Sequence, residues 1–431
     1  MQEPIWLIQR SMYQVTRLPN GLTVATAEMP HMASVSLGLW FAVGGRYEPA
    51  ELNGISHFIE HMLFKGTRRR SARQISEAVE GLGGYLNAFT SEETTCLYAR
   101  ALHVHFEALL DVIMDMFLES RFDPADVEKE RQVIKEELAS YLDQPHQHAE
   151  ELLNETVWPD QPLGRPLTGT PKTIDQLTRQ QMLSYRGSNY VAAAALVAVA
   201  GCVRHAAVVR AARRCAARFP DGPPPCFAPA DAGQTTPRVR LCTRDIAQTA
   251  LILGIRTCSR HDPRRHALRV LNALLGESMS SRLFQALRED TGLAYSVHSS
   301  LTFFQDVGLL ELEVGLDTDK LTRALRLIRR ELDRLRCTAP SWRECRQAQD
   351  YLIGQLELSL ESTENQMMWL AEHLLGYGRP VLAAEVKRSI AAVTPAQVRA
   401  VARDFFRPDR MNLVLVSPLK HTRGLLKLLA G

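Results

Sequence analysis

The sequence predicts an α+β fold of two homologous halves, each an α/β roll in which a mostly antiparallel sheet is packed with helices. Three observations support this prediction. The 431 residues are enough for roughly two to four domains. One proline-rich stretch divides the chain near its middle, and the same order of strand-like and helix-like segments follows on each side of it. Hydrophobic residues make up 45% of the chain and charged residues 23%, as in ordinary globular domains.

The dividing stretch is FPDGPPPCFAPADAGQTTP, residues 219–237, which contains six prolines and little apolar periodicity. Proline continues neither a helix nor a central strand, so this stretch is predicted to be a surface linker. We therefore expect a first domain over 1–218 and a second domain over 238–431.

The first half begins with segments that are typical of strands. GLTVATAEM and ASVSLGLWFAVGG contain many β-branched and aromatic residues and are bounded by turn residues. Further on, GGYLNAFTSEETTCLYARAL predicts a hairpin or a long strand, and YVAAAALVAVAG predicts a buried strand because it is too short to cross a membrane. Apolar spacing predicts helices over 55–64, 72–80, 103–119 and 124–141. The last of these begins with an aspartate N-cap followed by proline.

The second half repeats this order, which indicates an internal duplication. The predicted elements are a strand over 249–256, helices over 266–275 and 280–288, strands between 294 and 314, and helices over 318–336 and from 342 onward. The copy has lost the polar residues of the first half. Where the first half has GISHFIEHMLF, the second has RHALRVLNALLG, so only the first half is expected to carry chemistry.

Charge and cysteine usage exclude several classes of protein. The 51 basic and 48 acidic residues nearly balance, giving a net charge of +3, and such a surface has no strong field for nucleic acid. The eight cysteines are scattered without a CxxC pair, which favours reduced thiols and a cytoplasmic location. The N-terminal sequence lacks the features of a signal peptide. We expect no nucleic-acid partner and no membrane span.

The stretch HFIEH carries the chemistry of the first half. On a helix, His57 and His61 lie on one face, with Glu60 beside them. Two imidazoles at this spacing can ligate one zinc ion, and the carboxylate is placed next to a zinc-bound water. A catalytic site needs a third ligand, and the predicted helix over 124–141 supplies the carboxylates of Glu128, Glu130, Glu136 and Glu137.

Taken together, HFIEHMLFKGT and ERQVIKEE resemble the pitrilysin-like zinc metallopeptidases, or inverzincins, in particular the mitochondrial processing peptidase branch and its soluble bacterial relatives. This resemblance implies one zinc ion per chain, held by His57, His61 and Glu137. Glu60 is implied as the general base. Glu130 matches an additional glutamate that supports the metal shell without ligating. We prefer Glu137 to its neighbour as the ligand because it shares a helix face with Glu130.

The resemblance extends to residues that bind substrate. GGYLNAFTSEETTCLYA resembles the family's edge strand, on which Asn87, Ala88 and Phe89 would pair with a peptide. SSRLFQALREDTGLAYSVHS resembles the signature of the half without metal, and it places Arg288 and Tyr295 as a pair that reaches the metal site. From the residues alone, these two would be an ordinary helix-end arginine and an ordinary strand tyrosine.

The implied function is a zinc-dependent endopeptidase that cleaves extended or unfolded peptides. The implied assembly is a homodimer, or a heterodimer with an inactive relative. Asp143, Glu150 and Glu151 would meet a basic substrate residue or form a solvated helix surface. Two alternatives stay open. A non-catalytic subunit would keep the fold without the chemistry, and a structural zinc protein would close the site with a fourth ligand.

Overall fold

The computed structural model describes residues 12–231 and 233–430. The N-terminal sequence that was predicted to lack a signal peptide lies mostly outside the described residues. The strands are β1 Tyr13–Arg17, β2 Thr23–Glu28, β3 Ser34–Phe41, β4 Tyr85–Thr90, β5 Thr95–Leu102, β6 Ala195–Gly201, β7 Arg238–Thr243, β8 Gln248–Thr257, β9 Ala294–Phe303, β10 Gly308–Asp317 and β11 Met411–Ser417.

The helices of the first half are α1 Ile55–Leu63, α2 Ala72–Glu80, α3 Phe106–Glu119, α4 Pro124–Asp143, α5 Pro145–Val157, α6 Pro171–Gln176, α7 Arg179–Asn189 and α8 His205–Ala216. Those of the second half are α9 Arg265–Asn272, α10 Arg282–Phe284, α11 Leu321–Cys337, α12 Trp342–Ser359, α13 Thr363–Tyr377, α14 Ala383–Ala391, α15 Pro395–Phe405 and α16 Leu425–Ala430. Helices α9 and α10 each continue into a π-helical turn, Ala273–Glu277 and Gln285–Glu289. None of the helices described has the length and hydropathy that crossing a membrane requires.

The chain forms two compact units, each built around one sheet. Unit 1 comprises the chain up to Leu138, with Pro166–Ala228 and Leu358–Leu382. Unit 2 comprises Ala139–Arg165, Pro229–Glu357 and the chain from Ala383 onward.

The two sheets have corresponding strand orders. Sheet 1 runs β1-β2-β6-β3-β5-β4 and sheet 2 runs β7-β11-β8-β10-β9. Once β1 is set aside, the strands correspond one to one. In each sheet a single neighbouring pair is parallel, β2 with β6 and β7 with β11, and the other pairs are antiparallel. The predicted fold class of two related, mostly antiparallel halves is confirmed.

The predicted domains, 1–218 and 238–431, differ from the two units because each half of the sequence contributes a helix to the other unit. Helix α5 belongs to unit 2, where Leu153 and Val157 pack into the apolar cluster of sheet 2. Gly254 leaves the space for this packing, since a Cβ there would lie 2.7 Å from Leu153 Cδ1. Burial of the apolar face of α5 therefore decides its unit, against its position in the sequence.

Helix α13 is the reciprocal case. It comes from the second half of the sequence and covers one face of sheet 1, where Met367 and Leu370 cluster with Trp40. The indole of Trp40 donates to Met367 Sδ at 3.3 Å, and Gly38 leaves space for both side chains. The opposite face of sheet 1 carries the larger core, which contains α1, α3 and α4.

The described part of the predicted linker, 219–237, contains neither helix nor strand, as expected. Its first part is nevertheless fixed to unit 1. Phe219 is buried in the core of unit 1, and the guanidinium of Arg46 lies 3.7 Å from the ring centroid of Phe227. Arg46 is itself buried and pairs with Glu93 at 2.6 Å. The segment therefore follows unit 1 as far as Ala228.

Candidate metal centre

Helix α1 holds His57, Glu60 and His61 on its less buried side. On the other side, Phe58 and Ile59 are completely buried in the core of unit 1. Because core packing fixes the rotation of the helix, the three polar side chains are held on rigid backbone, as a metal site requires.

The start of α1 is fixed by a buried carboxylate. Gly54 has φ 92°, and a Cβ there would lie 2.8 Å from Gly169 Cα, so this position requires glycine. Glu48 accepts hydrogen bonds from the backbone N–H of Gly54 at 2.7 Å and of Ser56 at 2.8 Å. Burial raises the pKa of Glu48 to about 7, although these hydrogen bonds favour its charged form. Glu48 thus supplies the N-terminal cap that α1 lacks within its own sequence.

The donor atoms of His57, His61 and Glu137 converge. The Nε2 atoms of His57 and His61 lie 3.8 Å and 3.6 Å from Glu137 Oε2. Ligands about 2.0–2.1 Å from a tetrahedral zinc ion are separated by roughly 3.4 Å. Within the described part of the chain, this is the one group of such side chains placed to hold a metal ion, and its two nitrogens and one oxygen fit zinc. Glu136, the rejected neighbour, is exposed.

Glu130 lies behind His61 and does not join the donor group. Its side chain is 2% exposed, and its Oε2 lies 3.2 Å from His61 Nδ1. We assign the proton to Nδ1, which then donates to Glu130 and leaves Nε2 as the metal ligand. Glu130 is thus placed for the supporting role implied by the resemblance. His57 has no such support: its Nδ1 is buried without a hydrogen-bond partner among the described residues.

The two histidines have opposite pKa shifts. Burial, together with the neighbouring His61, lowers the pKa of His57 to about 4, against the attraction of Glu137. Burial also lowers the pKa of His61, but Glu137 and Glu130 outweigh it, and the pKa is raised overall. His57 is therefore neutral at pH 7, which is the state that ligates a metal.

Glu60 is held by a residue that the sequence did not indicate. The hydroxyl of Thr90, the last residue of β4, donates to Glu60 Oε2 at 2.6 Å. Burial raises the pKa of Glu60, while Thr90 and His61 act in the opposite direction. The period-2 alternation of β4, which places Thr90 on the same face as Leu86 and Ala88, was the available signal, but it does not reveal that this face meets α1.

Strand β4 is the edge of sheet 1 and pairs, among the described residues, with β5 alone. Ser91 bonds to Thr94 at the turn, so in this register Ala88 and Leu97 form a non-hydrogen-bonded pair, and the N–H of Ala88 donates instead to the side chain of Asn87 at 2.9 Å. Alternate backbone groups therefore face the open edge. The ring of Phe89 packs edge-on against Trp40 at 5.4 Å, on the face of the sheet opposite α1. The Phe89 ring therefore lies away from α1, and a role of Phe89 in peptide binding stays a prediction.

Arg288 and Tyr295 both belong to unit 2. Arg288 lies in a π-helical turn, and its half-exposed guanidinium stacks 5.0 Å from the ring of Phe284. Tyr295 is half-exposed, and its ring crosses β10 at Gly315, where a Cβ would lie 2.3 Å from the ring. Its hydroxyl lies 3.3 Å from His146 Nε2. The expected reach of this pair to the metal site stays a prediction.

The acidic residues at the end of helix α4 and on helix α5 differ in their exposure to solvent. Asp143 is exposed and lies 3.5 Å from Arg244. Glu151 is partly buried on α5, whereas Glu150 is exposed; even so, partial desolvation, with repulsion from Glu313 and Glu151, raises the pKa of Glu150 to about 7. Whether these carboxylates meet a basic substrate residue stays a prediction.

Comparison with known proteins gives two family matches. Residues 23–171 match the family model described as Insulinase (Peptidase family M16), and residues 176–352 match Peptidase M16 inactive domain. An uncharacterized zinc protease of Streptomyces coelicolor is 39% identical over 414 residues, which cover 94% of this chain and 89% of the relative. An uncharacterized zinc protease of Bacillus subtilis is 34% identical over 403 residues, covering 93% and 97%.

Two solved structures share the fold. The crystal structure of a protease from Helicobacter pylori has a TM-score of 0.88 and 20% identity, and the match covers 94% of this chain and 99% of that one. A structure from Pseudomonas fluorescens, titled as a peptidase M16 inactive domain, has a TM-score of 0.86 and 20% identity, covering 94% and 98%. At this identity the likeness concerns the fold alone.

Proposed function

Because the chain belongs to the insulinase-like M16 family of peptidases, we propose that it is a zinc-dependent endopeptidase that cleaves extended or unfolded peptides. The observation that carries the proposal is the convergence of His57, His61 and Glu137 beside Glu60, a carboxylate that is not needed as a ligand. One zinc ion per chain, held by His57, His61 and Glu137, would supply Lewis-acid chemistry, which makes water nucleophilic near neutral pH.

Glu60 acts as the general base. It takes a proton from the water that attacks the scissile carbonyl and then gives it to the leaving nitrogen. Its Oε2 accepts from Thr90, so Oε1 is the oxygen free to face the water. Thr90 therefore orients the base as well as stabilising its charge.

The substrate pairs along the open edge of β4 by adding a strand to sheet 1. The Asn87 side chain occupies the Ala88 N–H and has to turn away when a peptide binds. Recognition through backbone groups tolerates many sequences but requires an extended chain, so folded proteins are poor substrates. Arg288 and Tyr295, from unit 2, donate to the substrate carbonyl as negative charge develops on it.

The wider assignment follows the same resemblance. We propose a processing-peptidase-like enzyme that works in the cytoplasm as a homodimer, or as a heterodimer with an inactive relative. The processing role and the dimer are supported by family membership, and the cytoplasmic location by eight scattered cysteines without a CxxC pair.

The test compares wild type with Glu60→Gln on a quenched, unstructured basic peptide, with zinc content measured for both. Loss of cleavage at unchanged zinc content is expected. Zinc binding without cleavage of any peptide by wild type would favour a partner-dependent or non-catalytic subunit. A wild type that binds no zinc would refute the proposal.

A further inference from the structure

A lysine just after helix α1 contacts Glu130, the carboxylate that lies behind the metal-site residue His61. Lys65 follows α1, and its Nζ lies 2.7 Å from Glu130 Oε1. The two atoms are at ion-pair distance without hydrogen-bond geometry, so the contact is electrostatic in origin. The Lys65 side chain is 33% exposed and that of Glu130 only 2%, so the lysine lies between the carboxylate and solvent.

Glu130 therefore bridges Lys65 and a metal ligand. One oxygen faces the ammonium group, and the other lies 3.2 Å from His61 Nδ1. Among the described ion pairs of Glu130, Lys65 is the one with a permanent cation. The adjacent Arg131 is engaged elsewhere, with Glu128 and the backbone carbonyl of Leu177.

A carboxylate excluded from water needs a compensating charge, because its burial otherwise costs several kcal/mol. Removal of Lys65 takes away that charge and admits water along the path its side chain now fills. The carboxylate is then drawn toward water and holds His61 less firmly. Outer partners of metal-bound histidines typically contribute 10–100-fold to metal affinity.

We propose that Lys65 is a positioning residue of the metal centre: it holds Glu130 against His61 and thereby keeps His61 oriented toward the metal. This inference rests on the proposed zinc site and adds to it a residue that touches neither metal nor substrate.

The test measures the zinc dissociation constant by competition with a chelator, and the thermal midpoint of the metal-free protein. Lys65→Met is expected to weaken zinc binding about tenfold, the low end of the range for outer partners. Lys65→Arg, which keeps the charge, is expected to restore affinity to within about threefold. Lys129→Met is the matched control, since Lys129 is exposed and neighbours Glu130 in sequence without pairing with it.

Wild-type zinc affinity in Lys65→Met would overturn the inference while leaving the proposed function intact. Equal weakening by Lys129→Met would also overturn it, because net charge would then be the cause. A lower midpoint of the metal-free protein with unchanged zinc affinity would reduce Lys65 to a stabilising role and overturn the inference as well. Absence of zinc binding by wild type would refute both this inference and the proposed function.

Discussion

Replacing Thr90 with valine removes one hydroxyl and nearly preserves the shape of the side chain. The hydroxyl lies 2.6 Å from Glu60 Oε2. A hydrogen bond to a charged group contributes about 1.5–3 kcal/mol, and about 1.4 kcal/mol corresponds to one pKa unit. Because this bond favours the ionised carboxylate, its loss is expected to raise the pKa of Glu60 further, and this energy corresponds to a roughly 10- to 150-fold lower rate where Glu60 is largely protonated.

The direction of the effect on activity follows from the role of Glu60. A general base works in its ionised form, so the rate falls as the pH decreases through its pKa. Burial already raises that pKa, and Thr90→Val raises it again, which moves the acid limb of the pH profile upward. Above the limb, the variant is expected to recover most of the wild-type rate.

The assay measures kcat/KM for an unstructured quenched peptide between about pH 5.5 and 9, with zinc content checked at each pH. Thr90→Ser keeps the hydroxyl and is expected to keep the wild-type limb. Thr94→Val is the matched control, because Thr94 lies in the same hairpin and contacts Ser91 instead of Glu60. An unmoved limb in Thr90→Val, or an equal displacement in Thr90→Ser, would refute the role of Thr90.

Three further predictions follow from the contacts described above. Glu137→Gln is expected to weaken zinc binding more than about 100-fold, whereas Glu136→Gln is expected to bind zinc like wild type. Metal analysis of the purified variants checks this, and weaker binding by Glu136→Gln alone would make Glu136 the ligand. Leu153→Ala is expected to lower the free energy of unfolding by about 2–5 kcal/mol in urea denaturation, against less than about 1 kcal/mol for exposed Glu155→Ala. The pKa of Glu48 is about 7 in the folded protein, above an unfolded value of about 4.3, so the folded state binds this proton more tightly. The free energy of unfolding of wild type is therefore expected to rise as the pH falls from about 7 to 4.5. Glu48→Gln lacks this gain, and a stability difference between the two proteins that is constant with pH would contradict the prediction.

Much of the site was predictable because its signals are local. The spacing of His57 and His61 on one helix face is a property of the sequence, and the helix predicted over 55–64 is observed as Ile55–Leu63. The hairpin of β4 and β5 was likewise indicated by its glycine pair and alternation. Glu137 was chosen over its neighbour by resemblance and helix periodicity, and the donor geometry favours the same residue.

The contacts of Thr90, Lys65 and Glu48 were missed because they join segments that periodicity treats separately. Helical and strand patterns identify which face of an element is apolar, but they do not identify the element that covers it. The same limit explains why the predicted domains, 1–218 and 238–431, differ from the two units of the structure. Helix α5 has an apolar stripe in the sequence, yet nothing in that stripe specifies that it packs on sheet 2.

Helices α5 and α13 each belong to the unit formed mainly by the other half of the sequence, and this affects folding during synthesis. The last strand of sheet 1 ends at Gly201, but the helix that covers one of its faces is complete only at Tyr377. At about 5–20 residues per second, that face waits roughly 10–35 s for its cover. During this time an apolar surface that includes Trp40 and Leu196 is open to other nascent chains. The N-terminal sheet therefore completes its folding late in synthesis, and a chaperone that shields apolar surfaces has a defined interval in which to act.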